Sequence, residues 1–408
     1  MISGSTSAAE KIMNLPSRNL RLAPPPLPST DWRVPLCAPS FDEAEVKAVT
    51  EVMRSGWWTA GPVTSALEAE FAAVVGVPHA IAVSSGTAAL HLAFAAMELK
   101  CGDEVLIPSL SFVAAANCIL HAGGTPRFVD VAALDLPLVS PETLGKAITS
   151  RTRGICVMHY GGTPCAMDEV MTLAREHGLW VVEDAAHAPG AAWGSHSCGA
   201  WGDVGCFSFF GNKNVTCGEG GMVTTTNERI ASRIRALRSH GMSSLTWDRY
   251  RGHQFSYDVT EPGFNYRMDD LRAAILRVQL SSLTELNRRR AERVAWYREL
   301  LAGDPRWIIP FSHYPEKSAH HLFVIVLSKG SERAEIMEHL KEEGVQSSIH
   351  YPPTHLFKGY RELALPASDL GVTEALGRRL LSLPLYPDMS REQVEWVAGS
   401  LDRATLRR

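Results

Sequence analysis

The chain has 408 residues, a formal net charge of −4, and 45% hydrophobic and 21% charged residues. That length exceeds what one compact core usually holds, so two domains are the prior. The composition is that of a soluble globular protein, and the slight negative charge gives no electrostatic case for nucleic acid or an anionic membrane as main partner.

No uninterrupted apolar stretch is long enough to span a bilayer, and the N-terminus lacks a charged start followed by an apolar segment. The eight cysteines, Cys37, Cys101, Cys118, Cys156, Cys165, Cys198, Cys206 and Cys217, form no C-x-x-C pair. Most lie in apolar runs, which favours buried thiols in a reducing, cytoplasmic setting over a zinc site or a disulfide framework. Residues 1–34, with Pro24-Pro25-Pro26-Leu27-Pro28, read as an arm that is mobile or wraps the surface.

Ser40 and Glu43 have capping-box spacing ahead of Val46, Val49 and Val52, which predicts a helix starting at Ser40. A second helix is expected from about Ala66 to Gly76. Short β-rich runs then alternate with helical stretches. The candidate strands are His79–Ser85, Asp103–Ser109, Pro126–Val131, Gly154–Tyr160, Trp180–Asp184, Val204–Phe209 and Met222–Thr226, with helices such as Ala88–Met97 and Asp168–Gly178 between them. This alternation implies a mostly parallel sheet of seven strands covered on both faces, an α/β fold whose ligands gather at the carboxyl ends of the strands. After an Asn227-capped helix comes an irregular stretch, Gly241 to Gly263, then a long helical region from about Met268 to Leu301. Strand His321–Leu327, helix Ser331–Glu343, strand Val345–Tyr351 and a helix capped at Ser390 suggest a smaller α/β unit. The expected division is an arm at 1–34, a large domain at 35–265, and a linking helix with a small domain at 266–408.

Three elements carry chemistry. Ser84-Ser85-Gly86-Thr87 follows a strand and opens a helix, so free N–H groups and the helix dipole converge where a phosphate could sit; taken alone, an ordinary capped turn is the favoured reading. Asp184 ends a buried strand, where an unpaired charge is costly, and a protonated pyridine nitrogen would serve as its partner. An Asp capping the next turn is the plainer reading, as a satisfied structural histidine is for His187. Lys213 leaves the apolar run Phe207-Ser208-Phe209-Phe210 and precedes a glycine-rich turn, where partial desolvation would lower its pKa and make it a nucleophile or base. Most loop lysines are merely solvated; Asp184 and the phosphate-suited turn upstream raise this one above that prior.

Together these motifs resemble the DegT/DnrJ/EryC1/StrS sugar aminotransferases, which have the aspartate-aminotransferase type of fold (fold type I). The likeness runs from about Pro35 to Pro387 and includes SSGTAALHLA, GDEVLIPSLSFVAAAN, VVEDAAHA, GCFSFFGNKN with GEGGM, GFNYRMDDLRAA, IHYPP and LSLPLYP. The resemblance implies pyridoxal 5′-phosphate (PLP) held by Lys213 as a Schiff base, with Lys213 later shuttling a proton. It implies Asp184 on the pyridinium nitrogen, Phe112 stacked on the ring, and His187 near the phenolic oxygen. Gly86, Thr87 and Ser208 would hold the phosphate, and Asn265 that of the neighbouring subunit in a homodimer. His350 and Tyr351 would lie by the sugar cleft. The implied reaction moves an amino group from glutamate or glutamine to a keto-sugar, with no metal.

The rivals are a keto-cyclitol acceptor, a PLP-dependent sugar dehydratase, and a non-catalytic regulatory protein on the same scaffold. Dehydratases of this kind carry histidine at the position of Lys213, and a regulatory relative would be expected to lose Lys213 or Asp184. No G-x-G-x-x-G opens the first βα unit, as a nicotinamide enzyme would require. The stretch 242–264 is longer than in typical members. Its Arg249 and Arg251, among aromatic residues, are candidates for gripping a nucleotide diphosphate, although a surface or dimer-contact loop is the plainer reading.

Overall fold

The computed structural model describes residues 32–243, 252, 256–314, 316–362, 365–366 and 369–406. The arm up to residue 31 lies outside the described residues, as do Trp247, Arg249, Tyr250, Arg251 and His253.

The first helix, Glu43–Ser55, is capped by Asp42 and not by Ser40. The Asp42 carboxylate accepts from Ala44 N at 2.7 Å while Glu45 accepts from Asp42 N at 2.9 Å. Capping-box spacing occurs twice here, and the acidic cap also sits at the positive end of the helix dipole. The second helix begins at Pro62, where the missing N–H costs nothing, and ends against Gly76 at φ +84°.

The main sheet runs in the order His79–Val83, Gly221–Thr225, Val204–Ser208, Trp180–Asp184, Thr152–Met158, Glu104–Pro108, Thr125–Val129 and Leu365–Pro366. Seven strands match the expected set. The eighth is a two-residue strand from the C-terminal part, added in parallel beside Thr125–Val129. Gly221–Thr225 is antiparallel to both its neighbours, and the other pairings are parallel. Alternate side chains serve opposite faces. Val105, Ile107 and Val182 pack with helices Gly86–Ala96, Ala114–His121 and Glu228–Leu237, whereas Leu106 and Val181 pack with helix Met167–Glu176.

A second, antiparallel sheet joins Trp307–Ile308, Phe323–Leu327 and Leu380–Leu383. One face packs on helices Leu283–Leu301, Arg333–Glu342 and Arg391–Leu406, and this cluster takes in Val34 from the N-terminal segment. The other face sends Val324, Val326 and Leu380 against the main-sheet cluster around Leu106 and Tyr160. Two expectations need correction. The long helical region is two helices, Asp270–Ser281 and Leu283–Leu301, broken where Ser282 N bonds back to Gln279 O. The segment 345–351 is no strand: it has only single bridges, Val34 to Val345 and Ser348 to Ser382, and runs into Pro352-Pro353.

Candidate active site

Because most main-sheet strands are parallel, their carboxyl ends share one edge, and this edge places the candidate residues. Asp184 ends one strand and Ser208 another, while Ser84–Thr87 and Ser109–Phe112 follow two more. Gly86, Thr87, Phe112, Asp184, His187, Ser208, Lys213, His350 and Tyr351 all line one pocket of about 330 Å³. Asn265 does not. It is exposed and bridges Ser239 instead.

Helix Gly86–Ala96 opens into the pocket. Ser85 caps it by accepting from Ala88 N at 3.0 Å, and Ala89 N bonds Ser85 O at 3.1 Å, which leaves the first-turn N–H groups of Gly86 and Thr87 for a ligand. A Cβ on Gly86 would sit 2.7 Å from Ser208 Cβ, so the close approach of these two loops requires glycine. N–H donors, two hydroxyls and a helix N-terminus suit a phosphate.

Asp184 is buried, and among the described residues its side chain accepts one hydrogen bond, from Ala186 N at 3.1 Å. Burial raises its pKa, against the lowering pull of the Ala186 N–H, Lys213 and His159. A carboxylate this poorly served favours a cationic partner. Burial also lowers the Lys213 pKa to about 8, with Asp184 pulling the other way. Phe112 is 52% exposed although it lies in the pocket, which leaves a ring face free for stacking. The anion-suited turn, the exposed aromatic face, the under-served carboxylate and the amine of lowered basicity together fit PLP.

His187 is buried. Its Nδ1 accepts from Gly161 N at 3.3 Å and its Nε2 faces the Tyr351 hydroxyl at 3.0 Å. His350 Nδ1 lies 2.9 Å from Ser382 Oγ, and burial, then Lys213, lowers the His350 pKa to about 4. Tyr160 donates to the His350 carbonyl, and the His350–Tyr351 peptide is cis.

Sequence reasoning missed Phe210, Asn212 and Glu219, which also line the pocket, and the Asn214–His321 pair behind it. Asn212 and Asn214 flank the lysine, and the His320-His321 doublet precedes an apolar strand; these were the available signals.

A mostly parallel α/β sheet with such a set at its carboxyl edge defines the fold-type-I PLP enzymes. The model of the DegT/DnrJ/EryC1/StrS aminotransferase family matches residues 39–402. The spore coat polysaccharide biosynthesis protein SpsC of Bacillus subtilis is 39% identical over 368 residues, covering 89% of this chain and 94% of SpsC. PseC of Helicobacter pylori, an aminotransferase involved in pseudoaminic acid biosynthesis, superposes with a TM-score of 0.85 at 27% identity, covering 91% of this chain and 98% of PseC. The PLP-form of Spr1654 from Streptococcus pneumoniae gives 0.84 at 28% identity, with 91% and 98% covered. The chain belongs to the DegT/DnrJ/EryC1/StrS aminotransferase family, and it is a PLP-dependent aminotransferase.

Proposed function

We propose that this enzyme moves an amino group from glutamate or glutamine to a nucleotide-linked keto-deoxysugar, with PLP held at Lys213. The observation that carries the reading is the convergence of Lys213, Asp184, Phe112 and the Gly86–Thr87 helix start on one pocket. When bound, PLP supplies an electron sink that makes the α-proton of an amine labile.

Lys213 holds the cofactor at rest. Its Nζ then takes the proton from the donor's α-carbon and returns it on the other side of the transfer. A pKa of about 8 keeps a useful fraction of the amine free near neutral pH. Asp184 would pair with the ring nitrogen and favour its protonated form, and Phe112 would cover one ring face. Thr87, Ser208 and the N–H groups of Gly86 and Thr87 would hold the phosphate. The two half-reactions share these groups, so the exchange is ping-pong.

His350 and Tyr351 lie on the substrate side of the pocket, and Arg249 and Arg251 are assigned to the diphosphate of the sugar nucleotide. Asn265 is assigned to the phosphate of a second subunit, a role supported by its exposure away from its own pocket. A groove of about 780 Å³ between helices Glu43–Ser55, Pro62–Val75 and Asp270–Ser281, with exposed Met53 and Val74 on its helices, supports a homodimer. The division into an arm to residue 34, a cofactor domain at 35–265 and a remainder at 266–408 belongs to the same proposal, as does a cytoplasmic location. No described helix is long and apolar enough to cross a membrane.

Steady-state kinetics with candidate sugar nucleotides test the acceptor class. Replacing Arg249 and Arg251 by Ala raises KM for the sugar nucleotide and spares the glutamate half-reaction. An unchanged KM removes the diphosphate assignment.

A further inference from the structure

We propose that Asn214 and His321 are positioning residues that seat the His187 ring, whose hydrogen bond to Tyr351 leaves Tyr351 presenting its hydroxyl proton to the pocket. The proposal rests on the reading that PLP is held beside Lys213.

Two backbone carbonyls set the direction, because they can only accept. Asn287 donates from Nδ2 to Pro189 O at 2.8 Å, so its Oδ1 is left to accept from Asn214 Nδ2 at 2.8 Å. Asn214 Nδ2 gives its other proton to Ala319 O at 2.6 Å. Its Oδ1 must therefore accept, and the 2.9 Å contact with His321 Nδ1 places a proton on that nitrogen. The amide next to Lys213 is thus tied to residues 73 and 107 positions away.

A backbone N–H sets the second half. Gly161 N points at His187 Nδ1, so neutral His187 keeps its proton on Nε2 and donates it to the Tyr351 oxygen. The His187 and His321 rings lie one over the other, with centroids 4.2 Å apart and planes 35° apart. His321, held by Asn214, therefore forms the floor against which His187 is oriented.

Both rings are kept neutral. For His187, burial acts first, followed by the charges of Lys213 and His350. For His321, burial is followed by His187, Lys213, Arg290 and His350. Burial, with Asp184 in second place, holds the Tyr351 phenol above its ordinary range, so it remains a donor. Its oxygen already receives from His187, and among the described residues nothing accepts its own proton. That proton is left for an acceptor that enters the pocket.

A hydroxyl donated to an anionic oxygen stabilises that anion and lowers the basicity of atoms conjugated with it. The test is a pH titration of the visible band of the PLP-reconstituted protein, comparing wild type with Tyr351→Phe and His321→Ala. The expected result is a rise in apparent pKa of about one unit for both variants. An unchanged pKa in a folded Tyr351→Phe or His321→Ala protein overturns the proposal. Nitrogen NMR of histidine-labelled wild-type apoprotein gives a reading that does not depend on variants folding. His321 protonated on Nδ1 and His187 on Nε2 supports the assignment, and the reverse tautomer of either ring defeats it. Absence of any band in the wild type would instead count against the cofactor reading beneath it.

Discussion

Glu183 and Asp184 are adjacent on one strand, yet their carboxylates have opposite surroundings. Glu183 accepts from Gly199, Trp201 and Gly202 N–H groups, each at 2.8 Å, and from His159 Nε2 at 2.9 Å. The direction of the last bond follows from Cys165 N donating to His159 Nδ1 at 3.1 Å. Asp184 points to the other face and has, among the described residues, a single protein donor, Ala186 N. One carboxylate is spent on the fold and the other is left for chemistry.

This contrast predicts opposite phenotypes for two conservative changes. Glu183→Gln leaves buried donors mismatched and should lower unfolding free energy by about 3 kcal/mol, measured by urea unfolding. Asp184→Asn should cost at least about 100-fold in kcat while the apoprotein unfolds no earlier than wild type. Equal effects of the two on stability would contradict the division of roles.

Gly86→Ala tests the phosphate cradle. The new Cβ would meet Ser208 Cβ at 2.7 Å and push the two loops apart. Cofactor affinity, followed by fluorescence quenching, should weaken by at least about tenfold, with far-UV circular dichroism unchanged.

The Lys213 amine gives the apoprotein a pH signature. Burial lowers its pKa from 10.5 to about 8. Below about pH 8 both folded and unfolded chains carry the ammonium, so the fold bears the full cost of desolvating it. That cost fades as pH rises from 8 towards 10.5, where the folded chain has lost the proton and the unfolded chain still holds it. Stability of the wild type relative to Lys213→Met should therefore rise between pH 8 and 10. A difference flat across that window would mean that Lys213 is solvated.

Much of this site was legible before the fold was known, because its cofactor-side residues lie in short runs with local meaning. A buried strand ending in Asp184, a strand-to-helix turn at Gly86 and a lysine leaving an apolar strand each carry a signal within a few residues. The errors fell where local pattern was ambiguous. Ser40 and Asp42 both have acidic residues three positions on, and only the charge of Asp42 and the helix start it sets distinguish them. The run 345–351 looks like a strand, but its neighbours offer one bridge each. The Asn214–His321 pair is separated by 107 residues and has no local signature, so only the packed fold brings it to the lysine.

The most direct test is the visible absorption spectrum of the purified protein with added PLP, before and after glutamate, beside a Lys213→Ala variant. The account predicts a band in the wild type that glutamate bleaches to the pyridoxamine form, and neither the band nor the bleaching in the variant. A wild-type protein with no band, or a variant that bleaches as the wild type does, would contradict the assignment of Lys213.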